Sequence, residues 1–258
     1  MAALASLINE LNSGQVEVID LTETLREDYP TISLPPEFGQ ASVFKKQVIS
    51  QYDDRGPMWF WHNITVSEHT GTHFDAPIHW VSGKDVPNNT VDTIPPKDFI
   101  APACVVDCSK EVASNRDFLL TKEFLIKWES EHGEIPSGSW LFMRSDWRKI
   151  ADPDNYANIH DDGAHHPGPD EECVKWMIDQ RDVIGFGTEC IGTDAGIAMN
   201  FDPPLPCHYF MHGAGKYGLQ CMTNLDLLPA TGSVILCPPL KIDGGSGSPL
   251  RVLALVSR

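Results

Sequence analysis

The chain has little positive charge to set against its acidic residues. It contains 19 Lys and Arg against 36 Asp and Glu, which gives a formal net charge of −17 at pH 7. Phosphate backbones and anionic membrane surfaces repel such a chain, and no local stripe of Lys or Arg offsets the repulsion. The composition therefore argues against nucleic acid and membrane surfaces as partners.

Long apolar runs and closely spaced cysteine pairs are also missing. The longest apolar runs, such as 234–236 and 252–256, are far shorter than the roughly 20 residues that a membrane-spanning helix needs. Residues 1–13 lack the basic start and continuous apolar stretch of a signal peptide, and their Leu and Ile spacing predicts a short amphipathic helix. The seven cysteines, an odd number with no C-x-x-C pair, argue against a disulfide framework. We therefore expect a soluble, cytoplasmic protein.

The chain does contain a mixture of strand and helix patterns. No internal repeat or linker divides it, so we predict one α/β domain over residues 1–258, with mixed β-sheets, flanking helices and a short N-terminal helix at 1–13. Thr121 and Gly133 predict the start and the end of one helix, and a second helix follows Pro169. Apolar segments bounded by turn residues predict strands at 16–21, 103–107, 140–144, 183–187, 233–237 and 251–256.

The segment 69–79 concentrates three of the ten histidines and one carboxylate in the sequence HTGTHFDAPIH. Neutral imidazole nitrogen and carboxylate oxygen are the ligands that Zn²⁺, Mn²⁺ and Fe²⁺ accept. A structural zinc site is usually closed by four ligands, often cysteines, and this segment has no cysteine. The pattern therefore predicts an open, catalytic metal site.

The spacing within this segment requires a turn. His69 and His73 would share one face of a helix or of a strand, but Gly71 disfavours the helix. In an extended strand the two imidazoles would start about 13 Å apart, too far to reach one ion. We therefore predict a strand at 61–67 followed by a fold-back near Gly71 that brings His69, His73 and Asp75 together.

Past Asp75 and a proline lies His79, the third histidine of the segment. It can serve as a fourth ligand or as a base beside the ion. We favour the base, because a side chain with a pKa near 6.5 can both take up and release a proton at neutral pH.

The motif His69-x-Gly71-Thr72-His73-x-Asp75-x-Pro77-x-His79 resembles that of the cyclase-like metal-dependent hydrolases, which include bacterial kynurenine formamidase and isatin hydrolase. Gly192-Thr193-Asp194 and the stretch 239–249 support the resemblance, which covers most of the chain. It implies a swivelling β/β/α fold and assembly as a homodimer or homotetramer with active sites close to subunit interfaces. It also implies that His69, His73 and Asp75 bind the metal and that His79 transfers protons.

Three further residues gain roles from the resemblance. In formamidases a histidine and an acidic residue twelve positions later complete a two-metal site, and here His208 and Gln220 hold that spacing. The neutral Gln220 weakens binding of a second dication, so the chain looks like the isatin hydrolase branch, which uses one ion, typically Mn²⁺, with Zn²⁺ as the alternative. The resemblance therefore implies that Gln220 is a further ligand of this single ion. It also implies that His208 is a catalytic residue, because its position points into the site. Cys221 stands where an isatin hydrolase has a serine in a proton relay with the distal histidine; it is either part of that relay or a small packing residue.

Aromatic residues flank the metal motif. Trp59 and Trp61 share one face of the predicted strand, and Trp80 directly follows His79. Such rings can form a flat slot for a small aromatic substrate, although ordinary core packing is the alternative.

The resemblance and the neutral Gln220 together favour one reaction. We predict metal-dependent hydrolysis of a cyclic amide, isatin to isatinate, by a water that the ion activates and with His79 in proton transfer. An arylformamidase acting on N-formylkynurenine is the alternative, and a non-catalytic metal-binding protein is the third possibility. The partner in either enzymatic case is a small aromatic amide.

Overall fold

A computed structural model describes residues 2–258 and shows a mixed α/β fold. The α-helices are α1 Ala2–Ser13, α2 Ser109–Ser114, α3 Lys122–His132, α4 Trp147–Ile150, α5 Glu171–Asp179 and α6 Pro206–Gly213. Within this described part of the chain, no helix combines the length and the apolar character needed to cross a membrane.

The strands include nine that form one sheet and six that form three small two-stranded sheets. They are β1 Val16–Asp20, β2 Lys45–Asp53, β3 Gly56–Thr65, β4 His73–Asp75, β5 Ile100–Asp107, β6 Leu119–Leu120, β7 Trp140–Arg144, β8 Ile159–His160, β9 Gly163–Ala164, β10 Gly168–Pro169, β11 Gly185–Thr188, β12 Tyr217–Gln220, β13 Ser233–Leu236, β14 Gly247–Pro249 and β15 Leu253–Ser257.

The large sheet has the strand order β1-β15-β13-β5-β7-β11-β12-β4-β14. Its centre, from β5 to β12, is parallel, and antiparallel strands extend it on both sides. The three-residue strand β4, which carries part of the metal motif, lies between β12 and β14 and pairs with both. Hydrogen bonds on both sides therefore fix the backbone that presents His73 and Asp75.

The core lies on both faces of this sheet. In β7, Trp140 and Phe142 pack into one cluster of buried residues and Leu141 and Met143 into the other, and all four are fully buried. A central strand that is covered on both faces is expected to be continuously apolar, as β7 is.

The helix signals at Thr121 and Gly133 are confirmed. The Thr121 side chain accepts a hydrogen bond from the Phe124 amide at 3.2 Å, and Gly133 ends α3 with φ of 90°. The second predicted helix begins after Asp170, whose carboxylate accepts a hydrogen bond from the Cys173 amide at 2.7 Å. Each of the six predicted strands overlaps an observed strand, with ends displaced by up to three residues.

The strand predicted at 61–67 overlaps β3, which begins five residues earlier, at Gly56, and ends two residues earlier, at Thr65. We call the pair β2 and β3 the aromatic hairpin. It forms its own two-stranded sheet, and six of its large apolar side chains are between 46% and 79% exposed: Tyr52, Met58, Trp59, Phe60, Trp61 and Ile64.

Candidate metal centre

Asp75 is fully buried at the end of β4, and its two carboxylate oxygens face different groups. Oδ1 lies 2.7 Å from His69 Nδ1 and 3.4 Å from His73 Nε2. Oδ2 lies 3.9 Å from His208 Nε2 and accepts a hydrogen bond from the Gln220 amide. One carboxylate therefore joins the 69–79 motif to residues more than 130 positions later in the chain.

The chain folds back at Gly71, as the spacing of the motif predicts. Gly71 has φ of 70°, in the left-handed region that favours glycine, and an added Cβ would meet the Leu25 side chain at 2.6 Å. The His73 ring donates from Nδ1 to the Gly71 carbonyl at 2.7 Å, which leaves the lone pair of Nε2 on the side of Asp75.

His79 lies on a 3₁₀ turn, Pro77–His79, that directly follows β4. Its ring stacks on that of His69 with centroids 3.8 Å apart. A nitrogen of each ring and an oxygen of Asp75 lie within 4.8 Å of one another. This position suits either of the two roles expected for His79, a further ligand or a base next to the ion.

Burial and the neighbouring charges set the protonation of these groups. Burial alone would raise the pKa of Asp75, but the imidazoles of His73 and His69 outweigh it and hold that pKa well below its usual range. Burial lowers the pKa of His73 to about 4 and the pKa of His79 to about 2. At neutral pH the ionised Asp75 therefore lies beside the neutral imidazoles of His73 and His79, and these are the forms that bind a divalent cation.

The opposite wall of the centre comes from α6, which the sequence patterns did not predict. The Asp194 carboxylate caps this helix by accepting from the backbone amides of Cys207 at 2.6 Å and His208 at 3.1 Å. It also lies 2.5 Å from His208 Nδ1. Burial lowers the pKa of His208, but Asp194 outweighs this effect and raises it. Asp194 therefore both caps the N-terminus of α6 and orients the His208 ring.

His212 is a site residue that the sequence reasoning missed. It follows His208 by one helical turn, and nitrogens of the two rings lie within 4.8 Å of each other and of an Asp75 oxygen. Its Nδ1 is 3.1 Å from the Lys216 carbonyl oxygen. The spacing of three residues between His208 and His212 repeats the first spacing in the 69–79 segment, and this repeat is the signal that could have identified it.

Gln220 lies at the end of β12, next to β4. Its side-chain nitrogen is 3.4 Å from His208 Nε2, in addition to its hydrogen bond to Asp75. Gly218, on the same strand, stands opposite Asp75, and a Cβ there would approach Asp75 Oδ2 to 2.8 Å. A glycine at this position therefore leaves room for the buried carboxylate.

Cys221 is the first residue after β12. Its side chain is buried, and its backbone is left-handed, with φ of 51°. Its carbonyl accepts a hydrogen bond from the Thr72 hydroxyl at 2.6 Å, which ties β12 to the motif. Burial raises the pKa of the Cys221 thiol to about 12, although a hydrogen bond from Tyr29 partly offsets this effect. The thiol is therefore protonated at neutral pH.

The three tryptophans predicted for the substrate slot lie in two places. The Trp80 ring is 4.9 Å from the His208 ring and 6.0 Å from the His79 ring, so it borders the centre. Trp59 and Trp61 lie on the aromatic hairpin and are 46% and 54% exposed. Across residues 2–258, neither of these two rings packs against a ring of the site histidines.

The donor set fits a divalent metal ion. The imidazoles of His73, His208 and His212 use one ring nitrogen on a carbonyl or carboxylate oxygen and keep the other on the side of Asp75. Metal-binding histidines commonly show this arrangement, because the outer hydrogen bond fixes the tautomer and the ring orientation. The geometry therefore suggests a metal site around Asp75 without indicating which metal.

Comparison with known proteins places the chain in a family. The family model described as putative cyclase matches residues 19–195. An isatin hydrolase of Roseibium aggregatum is 44% identical over 260 residues, which cover 100% of this chain and 98% of that protein.

Two solved structures share the fold with a TM-score of 0.97 each. One is isatin hydrolase A from Labrenzia aggregata bound to benzyl benzoate, with 57% identity over 99% of this chain and 100% of that one. The other is an isatin hydrolase bound to the product analogue thioisatinate, with 43% identity over 100% of this chain and 98% of that one. Given the match to the family model and the full-length similarity, the chain belongs to the cyclase family of metal-dependent hydrolases and has the cyclase-like α/β fold.

Proposed function

We propose that this protein is a metal-dependent amidohydrolase that opens the five-membered ring of isatin to give isatinate. The observation that carries the proposal is the buried Asp75, which the motif histidines flank on one oxygen and His208 and the neutral Gln220 on the other. The full-length similarity to isatin hydrolases supports the choice of a cyclic amide as substrate.

His69, His73 and Asp75 would hold one divalent ion, for which we propose Mn²⁺, with Zn²⁺ as the alternative. When bound, the ion supplies Lewis acidity toward a carbonyl oxygen and toward water. Gln220 would be a further, neutral ligand next to Asp75, at a position where an acidic side chain would add a second negative charge. Among residues 2–258, Asp75 is the one carboxylate in the two groups of potential ligands, so a single dication balances the charge better than two do.

His79 acts as the base and then as the acid. Burial lowers the pKa of His79, so the ring is neutral before reaction and a nitrogen lone pair is available to accept a proton from the attacking water. The ionised Asp75 nearby favours the charged imidazolium that results. This imidazolium then delivers the proton to the amide nitrogen as the carbon–nitrogen bond breaks.

His208 and Cys221 support this exchange in different ways. Asp194 accepts the Nδ1 proton of His208 and so holds its Nε2 toward the centre. We assign His208 to proton transfer away from the reacting groups. We assign Cys221 to the same path as a neutral thiol, because its raised pKa keeps the proton on sulfur at neutral pH.

The aromatic hairpin supports association of the protein with a second copy of itself. A two-stranded hairpin alone is marginally stable in water, and this one exposes six large apolar side chains. We propose that it packs on a second protomer in a homodimer or homotetramer. Trp80 would line the substrate slot from within the chain, whereas Trp59 and Trp61 would reach the substrate only in this assembly.

One observation favours an arylformamidase as the second candidate. Asp75, His208 and His212 form a group of three potential ligands that can hold a second ion, as a two-metal enzyme needs. Gln220 argues against a second ion at this position, because its amide already donates to Asp75 Oδ2 and lies next to His208.

The test of the proposal is a comparison of two substrates at equal enzyme and Mn²⁺ concentrations. Ring opening of isatin is followed by loss of its visible absorbance, and N-formylkynurenine hydrolysis by the appearance of kynurenine. We expect kcat/KM for isatin to be higher by at least about tenfold, because the chain is similar over its full length to isatin hydrolases. Faster hydrolysis of N-formylkynurenine would move the assignment to the formamidase branch. Turnover of neither amide would favour a non-catalytic metal-binding protein.

We further propose that residues 1–258 form one domain, because both core clusters pack against the same nine-stranded sheet. We propose the cytoplasm as its location, since all seven cysteines are buried and free, as expected of thiols in a reducing compartment.

A further inference from the structure

His212 carries a hydrogen-bond acceptor that the protein itself leaves unused. The side chain is 1% exposed, and its Nδ1 is 3.1 Å from the Lys216 carbonyl oxygen. Because a carbonyl oxygen only accepts, Nδ1 must carry the proton and Nε2 must carry a lone pair. Across residues 2–258, this Nε2 has no hydrogen-bond partner.

The neighbours of His212 are acceptors that already have a donor. Gln220 donates to Asp75 Oδ2 and lies within hydrogen-bond distance of His208 Nε2, so its two N–H groups are used. Nitrogens of His208 and His212 and an oxygen of Asp75 lie within 4.8 Å of one another. In this group of three acceptors, His212 is therefore the one left without a proton donor, and an unpaired buried acceptor is costly.

A bound molecule can supply the missing donor. The His212 ring is 6.0 Å from the His79 ring and 5.6 Å from the His208 ring, so it faces the same small space as the proposed base. Burial lowers the pKa of His212 to about 4, which keeps the ring neutral and able to accept at neutral pH. A neutral N–H group fits such an acceptor better than a group that only accepts.

We propose that His212 Nε2 accepts a hydrogen bond from the N–H of the amide that is hydrolysed, and so selects cyclic amides with an unsubstituted nitrogen. The inference rests on the proposed function, because it requires an amide whose carbonyl lies at the metal centre. The nitrogen is bonded directly to that carbonyl carbon and would therefore lie close to the neighbouring rings of His79, His208 and His212.

A second cation is the other possible occupant of these three atoms. To bind there, it would have to displace the Gln220 amide from both Asp75 and His208. An amide N–H requires no such change, because it pairs with the only acceptor of the three that is free. The structure therefore favours the amide N–H over the ion.

The test compares isatin with N-methylisatin, which lacks the N–H, in the wild-type protein and in two variants, with metal content measured in each. In His212→Leu the acceptor is lost, so we expect kcat/KM for isatin to fall by about tenfold or more while that for N-methylisatin changes by less than about threefold. His212→Gln keeps an acceptor oxygen, and we expect it to retain more of the preference for isatin than His212→Leu does.

Four results would overturn the inference. An equal loss for both substrates in His212→Leu would indicate a structural role. Fewer bound ions in either variant than in the wild-type protein would assign His212 to a metal. Absence of isatin turnover in the wild-type protein would contradict both the proposed function and the inference. If the wild-type protein hydrolyses isatin and His212→Leu keeps the same preference for isatin over N-methylisatin, only the inference would be wrong.

Discussion

Gln220 and His73 stand directly opposite each other in the antiparallel pair of β12 and β4. From this position the Gln220 amide reaches Asp75, two residues beyond His73, and donates to its Oδ2. The side chain at position 220 therefore sets the charge of the centre without lying in the metal motif itself.

Replacing Gln220 by Glu should convert the centre toward a two-ion site. The added carboxylate repels Asp75 in the metal-free protein and attracts a second dication in the loaded one. We expect the metal-free variant to melt at a lower temperature than the wild type. Binding of two Zn²⁺ ions per chain should raise the melting temperature again. Thermal melts and metal analysis at increasing Zn²⁺ concentrations measure both effects. An unchanged ion count would mean that charge at position 220 does not control occupancy.

His73 and His79 should separate metal binding from turnover. We expect His73→Ala to lose the ion and the activity together, because its Nε2 is a proposed ligand. His79→Ala should keep the ion and lose about 10²- to 10⁴-fold in kcat, the usual contribution of a general acid or base. Metal content and kcat are measured on the same preparations. If His79→Ala emptied the site, His79 would be a ligand and the assignment as base would be wrong.

The sequence predicted the strands and the helix caps better than it predicted the elements around the metal motif, α6 and β12. Residues 140–144 were recognisable because a strand buried on both faces is continuously apolar, and Thr121 because N-caps are local. The sequence patterns did not predict helix α6, because it is only eight residues long, from Pro206 to Gly213. For the same reason they did not identify His212 as a site residue. Only the sheet brings β12 beside β4, and such long-range pairing leaves no local pattern.

The exposed positions of Trp59 and Trp61 could not be read from the chain either. Their apolar character is compatible with a core as well as with a surface that a second copy covers. The structure places both on the aromatic hairpin, whereas Trp80 lies beside His208. Trp59, Trp61 and Trp80 can therefore line one substrate slot only if the aromatic hairpin of a second copy of the protein lies beside Trp80.

Substitutions on the aromatic hairpin should weaken self-association. We expect Trp61→Ser combined with Met58→Ser to shift the protein toward the monomer, because these side chains are 54% and 79% exposed in a single chain. Ile126→Ser removes a similarly exposed apolar side chain from α3 and serves as the control. Sedimentation over a range of concentrations measures the change. Equal association of both variants and the wild type would place the subunit contact elsewhere.

Glu189 should make the stability of the protein depend on pH in a specific direction. Burial raises the pKa of this carboxyl to about 6 in the folded chain, although hydrogen bonds from Ser145 partly offset the effect. Between about pH 4.5 and 6 the folded state therefore binds more protons than the unfolded state, and the free energy of unfolding falls as pH rises. Above about pH 6 the free energy of unfolding is therefore lower by about 2 kcal/mol than it is below about pH 4.5.

The matched variant for this effect is Glu189→Gln, which keeps an acceptor oxygen for Ser145 but does not ionise. Relative to the wild type, its free energy of unfolding should be unchanged near pH 4 and higher by about 2 kcal/mol at pH 7.5. Denaturant unfolding of both proteins at a series of pH values measures the difference. A difference that does not vary with pH would contradict the prediction.

The most direct test of the proposed function is isatin hydrolysis by protein stripped of metal and then reloaded with Mn²⁺ or Zn²⁺, with the ions per chain determined on the same samples. We predict that the stripped protein is inactive, that Mn²⁺ restores ring opening, and that activity reaches its maximum at one ion per chain. Ring opening by the stripped protein, or a maximum reached only at two ions per chain, would contradict the assignment of a single-metal cyclic amide hydrolase.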